Sequence, residues 1–331
     1  MRPPARMWYC GFLVGAMLGS ASAIAGAPVG HDVTTPPVAR PAADDAVPRL
    51  ALWPGDRADA GAGRIVERSE DPALPDRVID EVRAPYLAVY APARPNGTAL
   101  LVTPGGGYAR IVLDKEGTAL VPAFVEQAGI TLFVLRYRLP GGAHADDADA
   151  PLADAQRALR LIRAQAADWH IAPDRVGVMG FSAGGHVAAR LATTHTAVYA
   201  PRDAVDAGPV RPDFALLVYP VISMAPDIAH AGSRTRLLGP HPTPAQASAL
   251  SPQRQVDART PPLFLLHAQD DDVVPVANTL AMHAAALAVG VPTSLHVFPY
   301  GGHGFGIRGA TGALAAWPAL AIDWIQERTA P

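Results

Sequence analysis

Gly180-Phe181-Ser182-Ala183-Gly184 constrains this chain more than any other stretch, because it demands a tight turn between two unlike elements. Before it, Arg175-Val176-Gly177-Val178-Met179 is short, apolar and β-branched, as a strand buried on both faces should be. After it, His186 to Thr194 is rich in alanine and leucine and reads as a helix. Passing from buried strand to helix in so few residues needs glycine on both sides of the serine, where side chains would collide. Strain at such an elbow lifts the hydroxyl above the sheet edge, which is how a G-x-S-x-G turn presents a nucleophile.

A nucleophilic serine needs a base, an acid that orients the base, and N–H donors for an oxyanion. For this kind of elbow the chain order is Ser, Asp, His. Among 11 histidines the candidate base is His303, on the glycine-flanked loop Pro299-Tyr300-Gly301-Gly302-His303-Gly304-Phe305-Gly306 that follows a predicted strand, Ser294 to Phe298. The acid lies in His267-Ala268-Gln269-Asp270-Asp271-Asp272-Val273-Val274-Pro275, just past the apolar strand Leu263 to Leu266. Asp270, Asp271 and Asp272 all remain candidates on the residues alone. One or two of them can make turns or cap a helix that starts near Pro275.

Pro104-Gly105-Gly106-Gly107-Tyr108 follows the predicted strand Ala99 to Thr103 and is the candidate oxyanion loop. Its Gly106 and Gly107 N–H groups would be joined by the N–H of Ala183, the residue after the serine. No Gly-Lys-Ser/Thr follows, and G-x-G-x-x-G is absent there, which argues against a nucleotide site. Three further residues are candidates for substrate contact or support. Tyr108 ends the glycine loop, and His186 falls one helical turn after Ser182, where support of the elbow is the favoured role. Glu116 would pair with a positive group under the oxyanion loop or act as a charge at a helix N-terminus.

Together these residues resemble the α/β-hydrolase superfamily and, within it, bacterial acetylxylan-esterase-like and feruloyl-esterase-like carbohydrate esterases. The likeness runs from Leu52-Trp53-Pro54-Gly55 through the glycine loop, Lys115-Glu116-Gly117 and Tyr137-Arg138-Leu139-Pro140. It continues through Asp154-Ala155-Gln156-Arg157-Ala158, Gly180-Phe181-Ser182-Ala183-Gly184-Gly185-His186, Asp271-x-Val273-Val274-Pro275 and Gly301 to Gly306. Pro104 departs from it, since many relatives carry His there. The resemblance implies a mostly parallel sheet with helices on both faces. It selects Asp271 as the acid, four residues after the strand-end histidine and directly before x-V-V-P. It also implies a serine esterase acting on short acyl esters, acetyl foremost, of plant-derived carbohydrate. The same triad on the same fold serves lipid or small-molecule carboxylesterases and prolyl-oligopeptidase-like peptidases, and the fold also hosts non-catalytic binding proteins.

Arg2 and Arg6, the apolar run Trp8 to Leu18, and small residues up to Ala27 read as a signal peptide over 1–27, which predicts an exported, periplasmic or secreted protein. Residues 28–50 are Pro- and Ala-rich and read as a linker, leaving 51–331 as one catalytic domain. The single cysteine, Cys10, falls in the leader, so no disulfide or thiol nucleophile is expected. A net charge of −3 implies neither nucleic acid nor an anionic membrane as partner, and leaves the oligomeric state open. No H-E-x-x-H or Cys/His cluster is present, so no metal or other cofactor is expected.

From about Tyr86 strand and helix patterns alternate. Strands are predicted over Thr131 to Tyr137 and Phe214 to Tyr219. Helices are predicted over Pro151 to Trp169, where Leu152, Ala155, Leu159, Ile162, Ala166 and Trp169 share a face, and over Val276 to Val289. Residues 222–256 are irregular and rich in Pro and Gly, in the place of a cap or substrate-shaping insertion.

Overall fold

The short apolar runs become strands of an eight-stranded sheet in the computed structural model, which describes residues 47–56, 63–82, 84–140 and 148–330. The expected leader over 1–27 and most of the linker lie outside the described residues. The strands are β1 (Arg49–Ala51), β2 (Arg64–Glu67), β3 (Arg77–Asp80), β4 (Tyr86–Tyr90), β5 (Ala99–Thr103), β6 (Ile111–Val112), β7 (Thr131–Arg136), β8 (Val176–Phe181), β9 (Ala215–Val218), β10 (Leu263–Ala268) and β11 (Thr293–Phe298). The helices are α1 (Ala150–Ala164), α2 (Ser182–Thr193), α3 (Ala231–Leu238), α4 (Pro244–Ala249), α5 (Ala277–Ala288) and α6 (Trp317–Thr329).

The main sheet runs β1-β4-β7-β5-β8-β9-β10-β11, and β2-β3-β6 form a separate antiparallel sheet. β4 is antiparallel to both its neighbours, whereas every pairing from β7 through β11 is parallel. From β5 the chain crosses to β7 on one side and then returns to β8 on the other. That reversal opens a crevice beyond the carboxyl ends of β5 and β8, the place where open α/β sheets hold their ligands.

Alternate residues of the strands feed two cores. Leu101 and Val178 pack with Leu152, Leu159, Val187 and Met282 of α1, α2 and α5. Leu100, Val102 and Phe181 pack on the opposite face with Phe124, Trp317 and Ile325. Helices therefore cover both faces, as parallel strands with no polar side require. The motif residues Trp53, Arg138 and Asp154 meet here rather than at a reactive site. Trp53 Nε1 donates to Asp154 Oδ1 at 2.9 Å and Arg138 Nη2 donates to it at 2.7 Å, pinning the first described residues to α1.

Four differences from the sequence reading stand out. β1 begins at Arg49, so regular structure starts inside the expected linker. α1 stops at Ala164 rather than Trp169. A hydrogen bond from Ile171 N–H to Ala166 O closes over His170, whose φ of 52° reverses the chain, and Trp169 reaches the core from that turn, edge-on to Phe133. α2 begins at Ser182 itself, several residues before the predicted His186. Residues 222–256 hold two short α-helices and a 3₁₀ turn over Pro252–Arg254, and buried Asn278 tethers their start by accepting the Ile222 and Ser223 N–H groups, both at 2.9 Å.

Candidate active site

β8 ends at Phe181 and α2 starts at the next residue, so Ser182 takes the whole change of direction, with φ 51°. For a non-glycine residue that is left-handed, strained backbone. The glycines make the crossing possible: a methyl group on Gly184 would lie 2.0 Å from Thr103 O and 2.3 Å from Pro104 O. Thr103 Oγ1 in turn donates to Gly184 O at 2.8 Å, locking the end of β5 against the start of α2.

Two loops from neighbouring parallel strands bring the other groups. Ser182 Oγ and His303 Nε2 are 2.8 Å apart, and His303 Nδ1 lies 2.7 Å from Asp271 Oδ2. Asp271 is buried and fully engaged. Its Oδ1 accepts the Val273 and Val274 N–H groups at 2.9 and 2.8 Å, and its Oδ2 is 3.1 Å from His267 Nε2. Burial by itself would raise this carboxyl. The hydrogen bonds from His267, His303 and Val274 overcome it and hold the group well below the usual carboxylate range. Asp271 is thus held as an anion at neutral pH.

The other two aspartates are placed differently. Asp270 is exposed and accepts the Gly302 N–H at 2.8 Å, which steadies the loop before His303. Asp272 is exposed, with no partner among the described residues. Of the three, only Asp271 reaches His303.

The glycine loop stands against the elbow. Gly106 has φ 133°, open to glycine alone, and the chain turns back there as the Ala109 N–H donates to Gly106 O. Gly105 N–H is consumed by Glu116 Oε2 at 2.7 Å, whereas those of Gly106 and Gly107 have no partner among the described residues. Ala183 is the second residue of α2, so its N–H has no carbonyl behind it within the helix. Three N–H groups with unfilled hydrogen-bonding capacity are therefore available, and the positive end of α2 favours an anion beside them.

Glu116 does not meet the positive group that is one of its two sequence readings. It is buried between neutral donors, taking Gly105 N–H on one oxygen and the Tyr219 hydroxyl on the other at 3.0 Å. Tyr219 also accepts the Gly306 N–H at 3.1 Å and lies edge-on to His303, 5.1 Å between ring centroids. Burial, then the Glu116 charge, pushes this phenol well above its ordinary pKa, so it stays a donor. The sequence reading missed Tyr219, because a tyrosine closing an apolar strand carries no signal beyond core packing.

Tyr108 and His186 are paired with each other and buried. The Tyr108 hydroxyl is 2.7 Å from His186 Nδ1, and His186 Nε2 is 2.8 Å from Leu250 O. Since Leu250 O can only accept, Nε2 carries the proton and Nδ1 accepts from Tyr108. Burial, then Arg190, lowers His186 to about 3, so the ring is neutral and sealed in the core. Among the described residues no group of three or more His, Cys, Asp or Glu side chains is placed to hold a metal ion. A cleft of about 780 Å³, lined by Val47, Tyr90, Arg94, Glu126 and Trp169 among others, shares none of the site residues.

The BD-FAE family model matches residues 87–286. The acetylxylan esterase of Xylanibacter ruminicola is 36% identical over 224 residues, covering 66% of this chain and 43% of that protein. Endo-1,4-beta-xylanase B of Butyrivibrio fibrisolvens is 37% identical over 207 residues, covering 62% and 32%. The chain thus spans less than half the length of either relative. Among solved structures, an acetyl ester-xyloside bifunctional hydrolase from Caldicellulosiruptor lactoaceticus superposes with a TM-score of 0.70 at 36% identity, covering 85% of this chain and 96% of that one. A carboxylesterase from Lactobacillus plantarum shares the fold, with a TM-score of 0.61 at 24% identity over 80% of this chain and 98% of that one.

Proposed function

The chain belongs to the BD-FAE family, and on that premise we propose that it is an exported serine esterase that removes short acyl groups, acetyl foremost, from plant-derived carbohydrate. The observation that carries the reading is the unbroken line from Ser182 Oγ through His303 to an ionised, buried Asp271. The names of two relatives, an acetylxylan esterase and an acetyl ester-xyloside hydrolase, support the substrate class.

In this mechanism His303 Nε2 takes the Ser182 proton as Oγ attacks the ester carbonyl carbon. The carbonyl π electrons move onto oxygen, and the N–H groups of Gly106, Gly107 and Ala183 hold the resulting oxyanion. Asp271 keeps Nδ1 protonated and stabilises the imidazolium. As the tetrahedral centre collapses, the C–O bond to the sugar breaks and His303 returns its proton to the departing alcohol. Water then repeats the sequence on the acyl-enzyme, releasing the acid and freeing Ser182. Export is supported by Arg2, Arg6 and the apolar run that follows them, and is tested by the N-terminus of protein recovered outside the cytoplasm.

Rates over acetyl, butyryl, feruloyl and longer-chain esters, with acetylated xylan and pectin alongside, test the substrate class. Acetyl esters and acetylated xylan should lead. A Ser182→Ala control should lose several orders of magnitude on all of them. A preference for long acyl chains would replace the carbohydrate reading with that of a lipid esterase.

A further inference from the structure

His230 opens α3 inside the 222–256 segment, and its ring lies against the glycine loop: a methyl group on Gly107 would lie 3.5 Å from His230 Cε1. Its nitrogens have different fates. Nδ1 is the cap of α3, accepting the Ser233 N–H at 3.2 Å with the Ser233 hydroxyl 2.8 Å away. A nitrogen that accepts an N–H bears no proton, so the neutral ring carries its hydrogen on Nε2. Nε2 has no partner among the described residues, and it is not among the buried polar atoms left without one. The ring is half-buried. Burial, then nearby His303 and Arg236, holds its pKa below the ordinary histidine value, with Asp271 pulling the other way. A neutral ring, oriented by its own helix, therefore carries its one N–H on Nε2, a nitrogen bonded to Cε1, the ring atom that faces Gly107, within the electrostatic reach of His303.

We propose that His230 Nε2 donates a hydrogen bond to a hydroxyl or ring oxygen on the alcohol side of the ester, so that polyhydroxylated alcohols are selected over simple ones. This rests on the esterase reading above. A donor beside the reacting carbonyl has nothing to bind in an ester of a plain aryl alcohol, whereas a sugar offers acceptors next to the esterified oxygen. The residue positions substrate and takes no part in proton transfer.

His230→Ser separates this role from the cap, because serine keeps an acceptor for the Ser233 N–H and lacks the ring. The comparison is kcat/KM on acetylated xylo-oligosaccharide against 4-nitrophenyl acetate, with thermal melting of each protein. The expected result is about a tenfold loss on the sugar ester, the worth of one neutral hydrogen bond, with the aryl ester within twofold and melting unchanged. An unchanged ratio, or an equal loss on both esters, overturns the assignment while leaving the esterase reading intact. If the wild-type protein cleaves the aryl ester but no sugar ester, the carbohydrate reading fails and this inference falls with it.

Discussion

Replacing Asp271 by asparagine should nearly abolish turnover, and the reason lies in which oxygen does what. Oδ1 accepts two backbone N–H groups, from Val273 at 2.9 Å and Val274 at 2.8 Å, and an amide NH₂ cannot stand there without setting donor against donor. The asparagine oxygen keeps that side, since turning the amide over would set its NH₂ against two backbone donors rather than against His267 Nε2–H alone, and its NH₂ then stands where Oδ2 now sits, facing His303 Nδ1 at 2.7 Å. Nδ1 then becomes the acceptor and the ring proton moves to Nε2. Nε2 is the atom 2.8 Å from Ser182 Oγ, and once protonated it cannot take the serine proton. The wrong tautomer and the lost anion together cost roughly 10⁴ in kcat, about 5.5 kcal/mol. Asp270→Asn should differ little, since an amide oxygen can still accept the Gly302 N–H at 2.8 Å, and Asp272→Asn should be silent. The assay is kcat/KM on 4-nitrophenyl acetate for the three variants, with circular dichroism to check folding. Activity of Asp271→Asn within tenfold of wild type would refute the tautomer reasoning, and a dead Asp270→Asn would move the acid by one residue.

Acid should destabilise the protein through His186, whose folded pKa of about 3 lies far below its ordinary 6.5. Between those values the unfolded chain binds a proton that the folded one refuses, so stability falls as pH drops from about 6.5 toward 3. His186→Gln, able to serve both Tyr108 and Leu250 without titrating, should show a shallower slope of melting temperature against pH; an identical slope would contradict this. Glu116→Ala should lower kcat/KM roughly tenfold to a hundredfold, because Gly105 and Tyr219 lose their shared acceptor and the oxyanion loop drifts. Unaltered kinetics would mean that the loop holds its place without it. Treatment with EDTA should leave activity unchanged, and a loss restored by added zinc or calcium would show that a metal had been overlooked.

What was legible in the chain was what local chemistry writes plainly. The elbow, its flanking strand and its order relative to the aspartates and His303 all follow from steric rules that act over a few residues. The end of α1 was not legible, because Ala166 and Trp169 keep helical spacing although the chain has already left the helix, and only the left-handed His170 betrays the turn. α6 is not legible either, since Trp317, Ala321 and Ile325 make too narrow a buried stripe among exposed neighbours to stand out. The partners of Glu116 lie 11 and 103 residues away, so its acceptor role belongs to tertiary structure alone. His230 was unreadable for the same reason. Its segment looks like ordinary loop until the fold sets it beside Gly107.

The line from Gly306 N–H to the Tyr219 hydroxyl, on to Glu116, and from there to Gly105 N–H joins the loop that bears the base to the loop that bears the oxyanion donors. Two halves of one site are thus coupled like the jaws of a clamp, and a change in one should be felt in the other. A chimera that imports a foreign histidine loop should fold yet hold a slack oxyanion pocket unless it also brings matching residues at 116 and 219. Drift in these loops should therefore be a correlated walk, with the buried carboxylate as the joint around which both must turn.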